Sequence, residues 1–130
     1  MKYLLDTNAA IALQKRDARM IKFLKQHHPS DFGMPVIALY ELLYGAYKSE
    51  RIEHNVANVE ALKFEVLELD REDGEDAGKI RAHLARKGEP IGPYDVLIAG
   101  QARARGLAVV THNTKEFERV PGLTVVDWTK

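Results

Sequence analysis

An acidic residue near the amino terminus lies where parallel sheets place their binding sites. Asp6 directly follows the short apolar run Tyr3-Leu4-Leu5, and a helical pattern begins immediately after it. This order predicts a buried strand that leads into a helix, with Asp6 at the strand's carboxyl end, where sites form in open α/β sheets. A charge there must be paired, hydrogen-bonded or bound to a metal. The structural alternative is that Asp6 or Thr7 only caps the helix.

Two more acids accompany apolar residues on predicted helices. Glu41 lies early in its helix and has apolar neighbours on both sides, within residues 39–43. Asp95 is followed by Ile98 and Ala99 at the spacing of one helical face, which places its carboxylate in line with the buried stripe. A metal ligand must face inward in this way, whereas an acid that only complements the helix dipole need not. Both interpretations of Asp95 remain open at this point.

The fourth acidic position is ambiguous. A predicted strand ends at Val110, and the segment after it contains Thr111, Asn113 and Glu116. Asn113 and Glu116 have the spacing of a capping box, which is a purely structural role. Either residue could instead face the same site as the other acids. Glu116 would then be a ligand, with Asn113 or Thr111 as hydrogen-bonding support.

Carboxylates that share one pocket repel each other unless a cation lies between them. Two of them about 5 Å apart repel by roughly 3 kcal/mol at an effective dielectric constant near 20. The chain has no cysteine, so an all-oxygen ligand set of Asp6, Glu41 and Asp95 favours Mg²⁺ or Mn²⁺ over zinc. Such a metal activates water and stabilises developing charge in phosphodiester hydrolysis.

The segments that position these acids alternate between strand and helix patterns. Predicted strands cover residues 3–5, 32–36, 66–69, 107–110 and 123–126. Predicted helices end near residues 16 and 28, span 37–47 and 52–65, follow Asp70 or Asp73, and span 94–105. Residues 87–93 contain two prolines and two glycines, which exclude a helix there. Alternating strands and helices predict an α/β domain with a parallel sheet covered on both faces.

The bulk composition narrows the class of protein. With 130 residues, 45% hydrophobic and 29% charged, the chain is expected to form one globular domain. Its formal net charge is zero, so a nucleic-acid partner must be met by a local patch. No segment has the roughly 20 apolar residues of a membrane span, and the first apolar run is too short for a signal peptide. We expect a cytoplasmic protein.

A basic patch that could meet a nucleic acid is predicted just before the glycine- and proline-rich segment. Lys79, Arg86 and Lys87 lie, with His83, on roughly one face of a predicted helix. Beside a phosphodiester site these cations could hold an RNA backbone. They could equally form an ordinary solvated face.

The acids and their neighbours, taken in order, resemble a known family, the PIN-domain ribonucleases, and among them the VapC toxins of bacterial toxin–antitoxin pairs. The segments that carry the resemblance are residues 4–8 (LLDTN), 41–45 (ELLYG), 90–95 (PIGPYD) with Ile98-Ala99, 111–117 (THNTKEF) and 120–128. They span essentially the whole chain. Any one of them alone is a weak indication, but the first four, in order and at suitable spacing, are specific, and the ending 120–128 also matches.

The resemblance implies a fold, an activity and partners. The fold would be a single PIN domain over residues 1–130, a three-layer α/β/α sandwich with a central five-stranded parallel sheet. The activity would be that of a Mg²⁺-dependent endoribonuclease toxin, with Mn²⁺ also possible and tRNA as the first candidate substrate. A VapB-type antitoxin would inhibit it and would provide its only link to operator DNA. The protein would usually be a homodimer.

The resemblance also assigns roles by position. Asp6 and Asp95 would be the principal metal ligands, and Glu41 would complete the acidic triad. Thr7 and Asn8 would support them. Many PIN domains have a fourth acid where this chain has Asn113, so either Glu116 supplies that acid or a second metal site is weak. This departure also supports an alternative function, that of a non-catalytic PIN-like module with an RNA-binding or regulatory role.

Overall fold

The computed structural model describes residues 1–130, and its centre is a five-stranded sheet. All neighbouring strands are parallel, in the order β3-β2-β1-β4-β5. The strands are β1 (Tyr3–Leu5), β2 (Phe32–Pro35), β3 (Glu65–Leu67), β4 (Ala108–Val110) and β5 (Val125–Val126). Helices cover both faces, which confirms the predicted three-layer α/β/α arrangement.

Seven α-helices connect or flank the strands. They are α1 (Thr7–Gln14), α2 (Ala18–Lys25), α3 (Val36–Tyr47), α4 (Ile52–Glu60), α5 (Arg71–Arg86), α6 (Pro93–Arg105) and α7 (Thr114–Phe117). None of them is long and apolar enough to cross a membrane. Helix α6 begins at Pro93, one residue before the predicted start, because proline suits the first position of a helix.

The boundary between α4 and β3 differs from the prediction. The helix ends at Glu60 rather than near residue 65, and the strand covers Glu65–Leu67 rather than residues 66–69. Leu62 and Phe64, which the predicted helix included, pack instead against the buried cluster that contains Phe32. Tertiary packing of these two side chains therefore ends the helix early.

Adjacent side chains of β1 pack on opposite faces of the sheet. Leu4 packs with α5 and α6, whereas Leu5 packs with α1 and α2. Both leucines are fully buried. This alternation is the two-residue period of a strand, and it fixes which face each helix covers.

Helices α5 and α6 form the closest helix pair of the molecule. A Cβ atom placed on Gly100 of α6 would lie 2.6 Å from the backbone nitrogen of Ala77 on α5, so only glycine allows this approach. Ion pairs close the same interface. The Arg105 guanidinium forks onto the buried Asp73, with an Nη2–Oδ2 distance of 2.9 Å, and Arg103 pairs with Asp76 at 2.8 Å. These contacts hold the helix that carries Asp95.

The strand order reverses between β1 and β4. The chain runs outward from β1 through β2 to β3 and then returns to the other side of β1 to form β4 and β5. Such a topological switch point leaves a crevice outside the carboxyl ends of the two central strands. Asp6 and Thr111 are the first residues after those two strands.

Candidate active site

Asp6 sits at the switch point and is held by donors on both oxygens. It is only 2% exposed. Its Oδ1 accepts from the backbone N–H of Ala9 at 2.8 Å, so it does cap α1. Its Oδ2 accepts from the Thr111 hydroxyl at 2.5 Å. Burial is the largest cause that raises the pKa of Asp6, and the charge of Glu41 adds to it. The two hydrogen bonds oppose this rise, but the pKa remains above its usual value.

Glu41 reaches the same place from the second turn of α3. Its Oε1 accepts a hydrogen bond from the Thr7 hydroxyl at 2.6 Å. Thr7 is the residue after Asp6, so one short segment anchors one acid and orients another. The carboxylate of Glu41 is half-buried and faces the crevice rather than open solvent.

Asp95 enters from the first turn of α6 and does not act as its cap. The N-cap position belongs to Gly92, and no side chain caps this helix. Burial is the largest cause that raises the pKa of Asp95 to about 6, and the charges of Asp6, Glu116 and Glu41 add to it. The four acids are therefore close enough to repel one another. This electrostatic signature is typical of functional sites.

Glu116 completes the acidic group in a way that the capping-box alternative did not anticipate. Asn113 precedes α7 but makes no side-chain cap. Its amide Nδ2 instead donates to Glu116 Oε2 at 2.7 Å. Its backbone N–H donates to the Thr111 hydroxyl at 2.8 Å. Asn113 thus links the acid on α7 to the threonine that binds Asp6.

A cavity of about 320 Å³ opens over these carboxylates. It is lined by Asp6, Thr7, Asn8, Ile11, Glu41, Gly92, Pro93, Tyr94 and Asp95. The three acids come from the end of β1, from α3 and from α6, and all three face this cavity. Glu116 does not line the cavity, but its charge helps to raise the pKa of Asp95.

The donor chemistry of the cavity fits a hard divalent cation. Asp6, Glu41 and Asp95 offer only carboxylate oxygens, the ligands that Mg²⁺ and Mn²⁺ prefer. Burial is the largest cause of the raised pKa of Asp95, and repulsion from the neighbouring acids adds to it; a cation would relieve that repulsion. No three acids or histidines lie close enough together to form a ready metal cluster. Joint ligation therefore requires the carboxylates to move closer to one another.

The structure does not bring the predicted basic residues into the cavity. Lys79 and Arg86 are exposed on α5, Lys87 is exposed directly after it, and none of the three lines the cavity. The two arginines that end α6 are used in ion pairs with α5. Any role of the three exposed cations in binding RNA is therefore outside the cavity itself.

Sequence reasoning missed two aromatic residues at the site. Tyr94 lines the cavity, and its ring meets that of Tyr40 with a centroid separation of 5.7 Å. The signal was present in the chain, since Tyr40 directly precedes Glu41 and Tyr94 directly precedes Asp95. His112 also acts on the site, because its charge opposes the rise in the pKa of Asp6.

Comparison with known proteins places this geometry in a family. The model of the PIN domain matches residues 3–123. A tRNA(fMet)-specific endonuclease VapC from Salmonella typhimurium is 46% identical over 130 residues, which cover 98% of each chain. A protein of the same name from Shigella flexneri is 42% identical with the same coverage. The chain belongs to the VapC group of the PIN-domain family.

Solved structures agree with this assignment. The fold of this chain is shared with a chain of the DNA-bound VapBC crystal structure from Salmonella typhimurium. The TM-score is 0.93, the identity is 45%, and the match covers 98% of both chains. The resemblance identified from the sequence is thereby confirmed. PIN-domain nucleases of the VapC group generally depend on a divalent metal.

Proposed function

We propose that this VapC-group PIN domain is a Mg²⁺-dependent endoribonuclease toxin that hydrolyses phosphodiester bonds in tRNA and is inhibited by a VapB-type antitoxin. Mn²⁺ would substitute for Mg²⁺. The observation that carries the proposal is the convergence of Asp6, Glu41 and Asp95 on one cavity, with Glu116 adding its charge to the group. Relatives named as tRNA(fMet)-specific endonucleases support the choice of substrate.

The proposed roles follow from how each side chain is held. Asp6 and Asp95 are the principal metal ligands, and Glu41 is the third. The Thr111 and Thr7 hydroxyls keep one oxygen each of Asp6 and Glu41 in place, so the ligands are partly oriented before any cation binds. A bound divalent cation supplies an activated water and stabilises charge that develops on the phosphate.

Glu116 is the proposed fourth acid. Asn113 occupies the position at which many PIN domains carry that acid, and its side-chain amide donates to the carboxylate of Glu116. We infer that Asn113 positions Glu116 rather than replacing an acid. Asn8 lines the cavity from the exposed side of α1, where it is available to hydrogen-bond to substrate.

A similar solved structure supports the proposed antitoxin partner. The similar Salmonella typhimurium structure is a VapBC complex bound to DNA. For this chain we propose a cognate VapB-type antitoxin, contact with operator DNA only through that antitoxin, and a homodimer. We also propose a cytoplasmic location, because tRNA is found there.

The test uses the purified chain and defined RNA. We expect initiator tRNA to be cut in Mg²⁺ or Mn²⁺, to remain intact in excess EDTA, and to be protected by the antitoxin encoded beside the gene. An elongator tRNA serves as the specificity control. Unimpaired cutting in EDTA would contradict the metal-dependent mechanism, and tight RNA binding without cutting in any metal would favour a non-catalytic RNA-binding module.

A further inference from the structure

Two tyrosines form an exposed aromatic pair at the rim of the acidic cavity. Tyr40 on α3 is 50% exposed, and Tyr94 on α6 is 41% exposed. Their rings meet at an interplanar angle of 74°, and their hydroxyl oxygens are 3.4 Å apart. An edge-to-face pair leaves at least one face of each ring free of the other ring.

The position of this pair relates it to the site rather than to the core. Each tyrosine directly precedes one of the cavity acids, Glu41 or Asp95, in the sequence. Tyr94 itself lines the cavity, and Tyr40 bonds to it from the neighbouring helix. Neither ring belongs to a buried hydrophobic cluster of the molecule. Packing of the core therefore does not explain them.

The charge of the cavity shows what such a pair could do. Its walls carry three carboxylates and no lysine or arginine. A polyanion held there gains no direct attraction from these walls. A neutral aromatic surface at the rim can bind the base of a nucleotide without adding charge next to the acids. Unpaired RNA bases are commonly recognised by stacking on aromatic side chains.

We propose that Tyr40 and Tyr94 form a stacking platform for one unpaired base of the RNA substrate, next to the phosphodiester that is cut. This inference rests on the proposed function and deepens it. It makes the two tyrosines substrate-positioning residues. The platform selects an unpaired nucleotide beside the cleavage point rather than a particular base, because every base has an aromatic face.

The experiment measures binding separately from cleavage. The probe is a short RNA hairpin with 2-aminopurine in its loop, because stacking quenches the fluorescence of that base. Binding to the full chain is measured in EDTA. The variants are Tyr40→Ala, Tyr94→Ala, Tyr40→Phe and Tyr94→Phe. Tyr47→Ala is the matched control, since Tyr47 is 59% exposed on the same helix as Tyr40 and does not line the cavity.

The alanine variants should bind about tenfold more weakly and lose the quenching, as expected for one lost stacked base. The phenylalanine variants should stay within about twofold of the wild type, because they keep the ring and lose only the hydroxyl. Tyr47→Ala should bind normally. Phenylalanine variants as weak as the alanine variants, or alanine variants that bind normally, would overturn the platform.

Two parallel measurements distinguish a failure of the stacking platform from a failure of the proposed function. Wild-type cleavage of initiator tRNA in Mg²⁺ tests the proposed function alone, and it can fail while the stacking signal remains. Size-exclusion chromatography tests whether the pair serves a protein interface instead. If Tyr40→Ala and Tyr94→Ala dissociate an oligomer and leave quenching intact, the platform is wrong.

Discussion

At the scale of single residues, the structural and functional alternatives for Asp6 prove to be compatible. One of its oxygens caps α1 through the N–H of Ala9, while the other accepts from Thr111 and the carboxylate faces the cavity. Asp95 differs, because it makes no cap and its charge is opposed by three neighbouring acids. Its environment therefore favours the protonated form at a pH where an ordinary aspartate is ionised.

The first prediction concerns Asp95→Asn in metal-free protein. A folded pKa of about 6 lies above the unfolded value of about 3.9, so the folded state binds more protons between these values. The ionised carboxylate therefore lowers stability as pH rises through that window, and the full penalty applies at pH 7. Asp95→Asn removes the charge and keeps the shape. Thermal melts in EDTA should show equal or higher stability at pH 7.

The same melts at pH 4 are the internal control, since the wild-type Asp95 is then largely protonated and the difference should fade. In Mg²⁺ the variant should lose RNA cleavage. A variant that is less stable at pH 7 and fully active would show that Asp95 is a structural residue.

At the scale of secondary-structure elements, α6 carries Asp95 and depends on its close contact with α5. Gly100 lies directly against Ala77, and the Arg105–Asp73 pair closes the end of the interface. Burial alone would raise the pKa of Asp73. Hydrogen bonds from Arg105, from the backbone N–H of Asp70 and from Gln101 outweigh burial, so the pKa is lowered. A shift in this interface would move Asp95 relative to β1.

The second prediction tests that contact with a pair of glycine variants. Gly100→Ala would place a methyl group 2.6 Å from the Ala77 backbone, so we expect a loss of about 1–3 kcal/mol in the free energy of unfolding. Gly78→Ala is the matched control, because Gly78 is also helical and a Cβ there meets nothing within 4 Å. It should gain up to about 1 kcal/mol. Equal effects in urea unfolding would contradict the close packing.

At the scale of the whole molecule, the strand order brings together residues that are far apart in the chain. Asp6 and Thr111 meet because β1 and β4 are neighbours, and Glu41 and Asp95 reach the same crevice from helices on the two flanks. The hydrophobic pattern was sufficient to predict this alternating fold. It also marked Asp95, because the acid continued an apolar helical stripe.

The sequence was less informative where tertiary contacts decide the outcome. The spacing of Asn113 and Glu116 suggested a capping box, but the two side chains bond directly to each other. The end of α4 was placed too late, because Leu62 and Phe64, which the prediction included in the helix, follow it and pack against the cluster that contains Phe32. The pairing of Tyr40 with Tyr94 joins residues 54 positions apart, and no local pattern predicts it.

The third prediction concerns the neutral net charge of the molecule, which leaves RNA attraction to local patches. Replacing Lys79, Arg86 and Lys87 by alanine should weaken RNA binding and reduce its log–log salt slope by about 2, given roughly 0.7 per phosphate contact on a single strand. The control replaces the exposed Lys15, Lys22 and Lys25, which lie on or near α2. An unchanged slope in the first variant would identify its residues as ordinary solvated cations.

Asp6 is expected to act through its charge in the metal-dependent cleavage of RNA. The decisive measurement is the single-turnover rate of tRNA cleavage against Mg²⁺ concentration for wild type, Asp6→Asn and Asp17→Asn. Asp6 and Asp17 both cap short helices, and asparagine also caps well, so the two variants lose a charge and keep a cap. We expect Asp6→Asn to lower the rate at least about 100-fold, because loss of a ligand should exceed loss of its outer hydrogen-bond partner. Asp17→Asn should cleave like the wild type. Normal Mg²⁺-dependent cleavage by Asp6→Asn would contradict the account.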